Sequence, residues 1–548
     1  MRRPSPRVAA STAVAALVRA GELSPDPADR SRRLVDAALL ASITGQLDEV
    51  PQLLADAGQA PDTPTGLVFA ATAHLLTNNE GDVDAAYRLL DRALDDVADT
   101  ADTTGLDSYA VLYALLVVSI YAARPEPWEL LKSELDRFDP ETVAPFRLCY
   151  DAYTDPVRTS DTVREGLARA FAALPAHAAL WQVVPLAYAA VGVDDLYGYR
   201  YLIQRMIERE RDDGAIGVAI AGLLMLSIDS YERGQWDEAD NLAREGLDLA
   251  AANGYRLLGE QLRFQLAFVA AARGNVDLTR ALTDEISTWA APRGIGITQS
   301  CARHARAIAA LGEGDYEEAY VQAIQVDPPG ALAPGIPGRW AIMDLVEAAV
   351  RAGHIDQARA HAAAAQQADM ARISPRTALI TAGAAAVAAD DDEAGPLFEA
   401  ALSLPAADRC PFERARIHLA YGQRLRRTRV TTRARLHLRA AIDTFDQLGA
   451  LPWAQRARNE LRATGVATSR PDTSPGTRSA SLTAQEWQIA TLAATGLTNK
   501  QIGERLFLSH RTVGAHLHRI FPKLGITSRA ALRAALETIT PDENDQAL

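Results

Sequence analysis

The stretch Gly234-Gln-Trp-Asp-Glu-Ala239 recurs along the chain with a nearly fixed step, and that recurrence decides the fold. It returns as Gly274-Asn-Val-Asp-Leu-Thr279, Gly314-Asp-Tyr-Glu-Glu-Ala319 and Gly353-His-Ile-Asp-Gln-Ala358. Earlier copies read Gly45-Gln-Leu-Asp-Glu-Val50, Gly81-Asp-Val-Asp-Ala-Ala86 and Gly192-Val-Asp-Asp-Leu-Tyr197, and degenerate ones end at Ala394 and Ala434. Successive steps from Gly234 are 40, 40, 39, 36 and 40 residues. A sustained period marks a repeat array where one match would not. The pattern describes a helical hairpin. Glycine ends one helix in a left-handed conformation. The large apolar residue two positions on closes the corner, and the acid after it opens the next helix against the helix dipole. The small residue that follows lets two helices approach. Steps of four and three, as in Ala394, Phe398, Ala401 and in Ala434, Leu438, Ala441, keep one face apolar. One hairpin cannot bury that face alone, so copies must stack.

Working outward, the chain has 548 residues, 48% hydrophobic and 23% charged, which is the composition of a folded protein too long for a single core. Cys149, Cys301 and Cys410 lie far apart. That spacing excludes a disulfide framework, a CxxC pair and a cysteine-rich zinc site, and fits a reducing cytoplasm. The opening MRRPSPRVAASTAVAALVRAG is basic and then apolar, but Arg19 interrupts the run and no cleavage pattern follows, so it is not read as a signal peptide. The longest apolar run, Tyr109 to Ala123, is shorter than the ~20 residues of a spanning helix and is predicted to be a buried one. His354 and His361 are not at the spacing of a helical metal pair. Trp236, Trp289, Trp340 and Trp453 are read as core or corner residues, and the Pro-rich segment from Asp327 to Gly338 as an interrupting loop. No nucleophile–base pair or paired acid motif stands out, so no catalytic residue, metal or cofactor is expected and the protein is not read as an enzyme.

Charge divides the chain. Residues 481–540 hold seven basic residues against three acids, a net of +4, while residues 1–480 carry a net of −15. Only Lys132, Lys500 and Lys523 are lysines. An acidic body with a basic end predicts that a polyanion meets only that end. Residues 463–481 are rich in Ser, Thr, Pro and Gly and read as a flexible linker. Thr483-Ala-Gln-Glu486 and Thr498-Asn-Lys-Gln501 are capping boxes that open two short helices, and Gly496 ends the first. Ser509 caps a third helix and Ser528 a fourth. This is the order of a helix-turn-helix domain. On the third helix Val513, Leu517, Ile520 and Leu524 share the core-facing sector. Arg511, Gly514, Ala515 and His518 fall opposite, as candidates for base edges in a major groove. Thr512, His516 and Arg519 on the flank, with Thr498, Asn499, Lys500 and Lys523, are candidates for phosphate contacts.

The repeats resemble tetratricopeptide repeats, slightly lengthened, over roughly residues 30–462. The stretch from Leu482 to Leu532 resembles the DNA-binding domain of LuxR-type transcriptional regulators, on Leu482, Thr483, Glu486, Leu492, Gly496, Asn499, Ile502, Leu506, Ser509, Thr512, Val513, His516, Ile520, Lys523, Leu524 and Arg529. It departs from that family's habit at Gly514, where Lys is usual, and at Gln485, where Arg is usual. Pro522 removes a helical N–H near the end of the third helix. Helical repeats before such a domain resemble the large ATP-binding LuxR-type activators, the maltose-activator group. No GxxxxGK[ST] stretch is present, and the chain is read as resembling that group without its ATPase domain.

The expected architecture is all-α: a lead-in over 1–29, a tetratricopeptide-like helical-hairpin solenoid over 30–462, a linker over 463–481, a four-helix LuxR-type helix-turn-helix domain over 482–540, and an acidic tail over 541–548. The resemblance implies a cytoplasmic regulator of transcription. Its partners would be double-stranded DNA, a protein or small-molecule effector on the repeats, and RNA polymerase, with no membrane involved. It would bind DNA as a homodimer through Leu532 and Leu536 of the fourth helix. The alternative is a repeat-based adaptor or scaffold whose helix-turn-helix domain is degenerate, a reading that Gly514 favours.

Overall fold

The structure is a computed structural model that describes residues 6–43, 46–58, 72, 80–97, 106–175, 180–213, 215–332, 335–465, 484–506, 513–514, 516–517, 520–521, 524, 526 and 528–537. Among the described residues every regular element is a helix. Contacts divide the chain into two compact units, Met1–Val466 and Ala467–Leu548.

In the first unit the helices come in pairs. Ile216–Glu232 pairs with Trp236–Asn253, Arg256–Arg273 with Val276–Ala290, Gly296–Glu313 with Tyr316–Ala323, and Ile336–Ala352 with Ile355–Gln367. Pro375–Ala388 and Asp391–Leu402, then Pro411–Arg427 and Thr431–Leu448, continue the series. The first helix of a pair is enclosed on nearly every side; in Ile216–Glu232 each residue from Val218 to Ser230 is buried. The second buries a single stripe, such as Trp236, Ala239, Ala243, Gly246 and Ala250. Those steps of three and four are one face of a helix. The result is a tetratricopeptide-like solenoid with an inner and an outer row.

The corners explain the repeat. Gly234, Gly274, Gly314 and Gly353 have φ of 73, 88, 83 and 93°. The next N–H reaches back to a carbonyl five residues earlier: Gln235 to Ser230 at 2.8 Å, Asn275 to Ala270 at 2.8 Å, Asp315 to Ala310 at 3.0 Å, His354 to Ala349 at 2.8 Å. This is the Schellman closure, which satisfies carbonyls a helix end would leave unpaired. Asn275 and Asp315 then cap the following helix, accepting from the N–H groups of Leu278 and Glu318. Ala239, Ala319 and Ala358 are fully enclosed, as the close approach of paired helices demands.

Some copies depart from the expected register. Gly192 is not a corner but the last residue of Leu180–Gly192, where an added Cβ would lie 2.8 Å from the Ala152 Cβ. The corner falls two residues later at Asp194, with φ 49° and the Asp195 N–H on the Ala190 carbonyl at 2.8 Å; Leu196 takes the apolar place. Before Ala434 the left-handed position is held by Arg429, with φ 65°. Before Ala394 there is no left-handed residue; Ala389 is extended instead. Gly45 lies outside the described residues.

The expected lead-in already contains the helix Pro6–Glu22, whose Val14 packs with Leu34, Val35 and Ala38. The Pro-rich loop is shorter than expected, because helix resumes at Ile336 with Pro337 in its first turn, where a missing N–H does no harm. The apolar run forms the helix Leu106–Ala122, largely buried where its side chains are described, and no described helix is long and apolar enough to cross a membrane. Hairpins distant in sequence also touch: Arg339 Nη1 donates to the Gly192 carbonyl at 2.7 Å, and Arg456 Nη1 to the Leu311 carbonyl at 2.7 Å.

Candidate nucleic-acid interface

The second unit builds its own core. Ala484–Ala494 ends before Gly496, whose φ is 93°. At Thr498 the expected capping box forms in both directions. The Thr498 N–H donates to Gln501 Oε1 at 2.8 Å, and the Gln501 N–H to Thr498 Oγ1 at 3.3 Å. This opens Asn499–Leu506. The other capping box, at Thr483, and the Ser509 cap lie outside the described residues. Ser528 precedes the 3-10 turn Arg529–Ala531 and the helix Leu532–Glu537, but its side chain makes no cap bond. Ile489, Ala493, Ile502, Val513, Leu517 and Ile520 meet in one apolar cluster, with Leu492 and Leu524 packed beside it. The inward sector of the third helix is therefore as its periodicity predicts.

Of the expected contact residues, Thr498 and Lys500 are exposed, while Asn499, Gly514 and His516 are half-buried. Gly514 faces the start of the preceding helix, since an added Cβ would stand 3.5 Å from Asn499 Nδ2. Arg511, Thr512, Ala515, His518, Arg519 and Lys523 lie outside the described residues. Leu532 and Leu536 require a correction. They are 0% and 9% exposed and belong to the domain's own core, so neither side chain is available to face a second copy. Sequence reasoning gave Arg529 no role. Its Nη1 donates to Asn499 Oδ1 at 2.7 Å and its Nη2 to the Leu497 carbonyl, fastening the start of one helix to the start of another.

The interior of the first unit holds a second set of polar residues that no motif announced. Arg376 donates through Nη2 and Nε to Glu413 Oε1 at 2.9 and 3.2 Å, and through Nη1 to Glu232 Oε1 at 3.3 Å. Arg416 lies 2.6 Å from Asp344 Oδ1 and 2.8 Å from Glu347 Oε2, and Arg456 lies 2.9 Å from Glu347 Oε1. His304 Nε2 is 2.8 Å from Asp344 Oδ2. Burial alone would raise Asp344 and Glu347, but Arg416, with His304 on one and Arg456 on the other, outweighs it and holds both below the usual range. At Glu232 burial wins: with Arg376 bonded more closely to Glu413, the Glu232 carboxyl is pushed up to about 8. The partners are far apart in sequence, 69 residues for Arg416 and Glu347, so only the fold assembles them.

The second unit has the helix order of a helix-turn-helix domain. The family described as GerE, bacterial regulatory proteins, luxR family, matches residues 480–534. The C-terminal domain is therefore a LuxR-family domain. A protein named as an HTH-type transcriptional regulator in Mycobacterium tuberculosis is 41% identical over 93 residues, which cover 17% of this chain and 9% of that protein. The transcriptional regulatory protein LiaR of Bacillus subtilis is 47% identical over 49 residues, 9% of this chain and 23% of LiaR. The chain thus spans under a quarter of either relative. Among solved structures, a Rap protein complexed with competence and sporulation factor aligns over 73% of this chain and 97% of its own, at 11% identity and a TM-score of 0.27, a likeness too slight to support an argument.

Proposed function

We propose that the protein is a cytoplasmic, sequence-specific DNA-binding regulator of transcription whose helical-repeat body takes an effector or protein partner and thereby controls the C-terminal domain. The observation that carries the reading is the LuxR-family match over residues 480–534, joined to a domain whose buried Val513, Leu517 and Ile520 fix the register of its third helix. By the helical wheel of the sequence alone, Arg511, Gly514, Ala515 and His518 are the candidates for base edges. Thr498, Asn499, Lys500, Thr512, His516, Arg519 and Lys523 flank them as phosphate contacts. Two copies would read two half-sites through a contact other than Leu532 and Leu536, and RNA polymerase would be the downstream partner. The names of the relatives support a regulator over an enzyme.

The test is selection of bound sequences from random duplex DNA, with the full chain and with residues 481–548. Enrichment of a defined motif by both, lost in Arg511→Ala combined with His518→Ala, is the expected result. Equal, negligible retention of every duplex at low ionic strength would overturn the reading.

A further inference from the structure

We propose that the interior of the helical body holds the ammonium head of a small primary amine, with Glu232 as its counter-ion and the cleft beside Glu232 as the seat for the rest of the ligand. This deepens the reading of the body as an effector-binding array and rests on it.

The argument begins with charge. The inner rows enclose a cavity walled by the rings of Tyr231, Phe268, Trp340 and Phe412, with about 30 Å³ of free space. That is room for a water or two, or for one ammonium-sized group. Three carboxylates face it, Glu232, Asp344 and Glu413, against two guanidinium groups, Arg376 and Arg416. Glu347, behind Arg416, is shared with Arg456. Glu232 is the least compensated of the three, since it receives a single bond from Arg376 at 3.3 Å while Glu413 receives two.

Hydrogen bonding points the same way. Gln265 and His304, 1% and 3% exposed, line the same cavity, and Gln265 Oε1 and His304 Nδ1 have no partner. Asp344 is held ionised, so the hydrogen between it and His304 sits on Nε2, and Gln265 Oε1 is the acceptor left without a donor. The cavity thus offers an unmet acceptor in Gln265 Oε1 and a weakly paired carboxylate in Glu232. Water supplies donors but no charge. An alkylammonium supplies three N–H donors and one charge, and its first methylene suits aromatic walls.

The rest of the ligand has a place as well. A cleft of about 240 Å³ shares Glu232 and Arg376 with the inner cavity and is lined further by Asp194, Asp229, Arg233 and Asp408. A carboxylate head would meet Glu232 and Glu413 at short range and be repelled. Burial favours a proton on Glu232, and an ammonium head would take that proton's place. The charged groups around Glu232 are Asp194, Asp229 and Glu413, which favour that proton, and Arg376 and Arg339, which oppose it.

The same ammonium could come from a free amine or from a lysyl side chain, and the experiment separates them. Full-length protein is titrated calorimetrically with n-butylamine, Nα-acetyl-lysine amide, butanol and butyrate. One saturable site for an ammonium probe, with butanol and butyrate weaker by about tenfold or more, is expected. Preference for butylamine assigns a free amine, and preference for the lysine derivative a peptide. Glu232→Gln should weaken binding by about tenfold while cooperative melting is kept, and Gln265→Met should weaken it in the same direction. No saturable binding of either ammonium probe to the folded protein, or binding that Glu232→Gln leaves unchanged, overturns the proposal. DNA affinity is followed in parallel. An amine that binds without altering it leaves this site standing and removes effector control. A different effector that alters it, with no amine bound, does the reverse.

Discussion

Arg529 ties the starts of two helices in the DNA-binding domain through Asn499 and the Leu497 carbonyl. Its replacement by Ala should remove two charge-assisted bonds and lower the stability of the domain by about 1–3 kcal/mol, read from thermal melting of residues 481–548. Unchanged melting would mean that the clamp contributes nothing. Glu232 allows a second test at this scale. The folded chain keeps its proton up to about pH 8, whereas the unfolded chain releases it near the ordinary value of 4.5. Between the two the native state binds more protons, so this group's contribution is present at the acid end of the window and is lost as pH rises through the folded value. Glu232→Gln removes that loss. The stability difference between wild type and variant should therefore shrink or reverse from about pH 5 to about pH 8, in thermal melts over that range. A difference independent of pH would show that Glu232 titrates normally.

At the scale of helices and corners, two positions that glycine does not occupy make opposite predictions. Arg429 is exposed and left-handed, so Arg429→Gly should relieve strain and stabilise the body by about 1 kcal/mol. Asp194 has the same backbone, but its carboxylate accepts from Ser374 Oγ at 2.6 Å and Thr377 Oγ1 at 2.9 Å. Asp194→Gly should therefore destabilise, and denaturant midpoints of the two variants should move in opposite directions. The same contrast shows what the sequence could and could not reveal. Repeats from Gly234 to Gly353 were legible because a left-handed corner favours one residue type. Asp194 and Arg429 were not, since a Schellman closure can hold other residues there, and the copy at Gly192 was consequently read two residues out of register. Leu532 and Leu536 were misread because an apolar helix face looks alike whether it meets its own core or a partner. The interior ion pairs left no local trace at all. A histidine pair between two neighbouring helices adds a pH effect: His418 Nδ1 lies 2.9 Å from His437 Nδ1. That contact needs one ring to donate and the other to accept, so it is lost once both rings are protonated. Burial, then His437 and Arg414, lowers His418 to about 4, and burial with Arg433 lowers His437. The unfolded chain takes up these protons first on acidification, so stability should be lost as pH falls from the ordinary 6.5 toward about 4. His418→Gln should flatten that slope in chemical denaturation curves; an unaltered slope would exclude the pair as its source.

For the molecule as a whole, the decisive feature is opposite charge on two units of one chain: +4 over residues 481–540 and −15 over residues 1–480. A polyanion is attracted by the first and repelled by the second, and both effects are screened by salt. The C-terminal unit has its own apolar cluster, so residues 481–548 can be compared directly with the full chain. At low salt the fragment should bind non-specific duplex more tightly than the full chain, and the gap should close as ionic strength rises, because the repulsion acts at longer range than the phosphate contacts. Lys500 is exposed beside the capped helix start, and Lys500→Ala should reduce the slope of log affinity against log salt by about 1 in both proteins. Fluorescence anisotropy over a salt series measures both quantities. If the full chain binds non-specific DNA as well as the fragment at every salt concentration, the acidic body does not discourage unproductive binding. Control of the DNA-binding domain must then come from contacts with the body or its ligand, and not from the body's field.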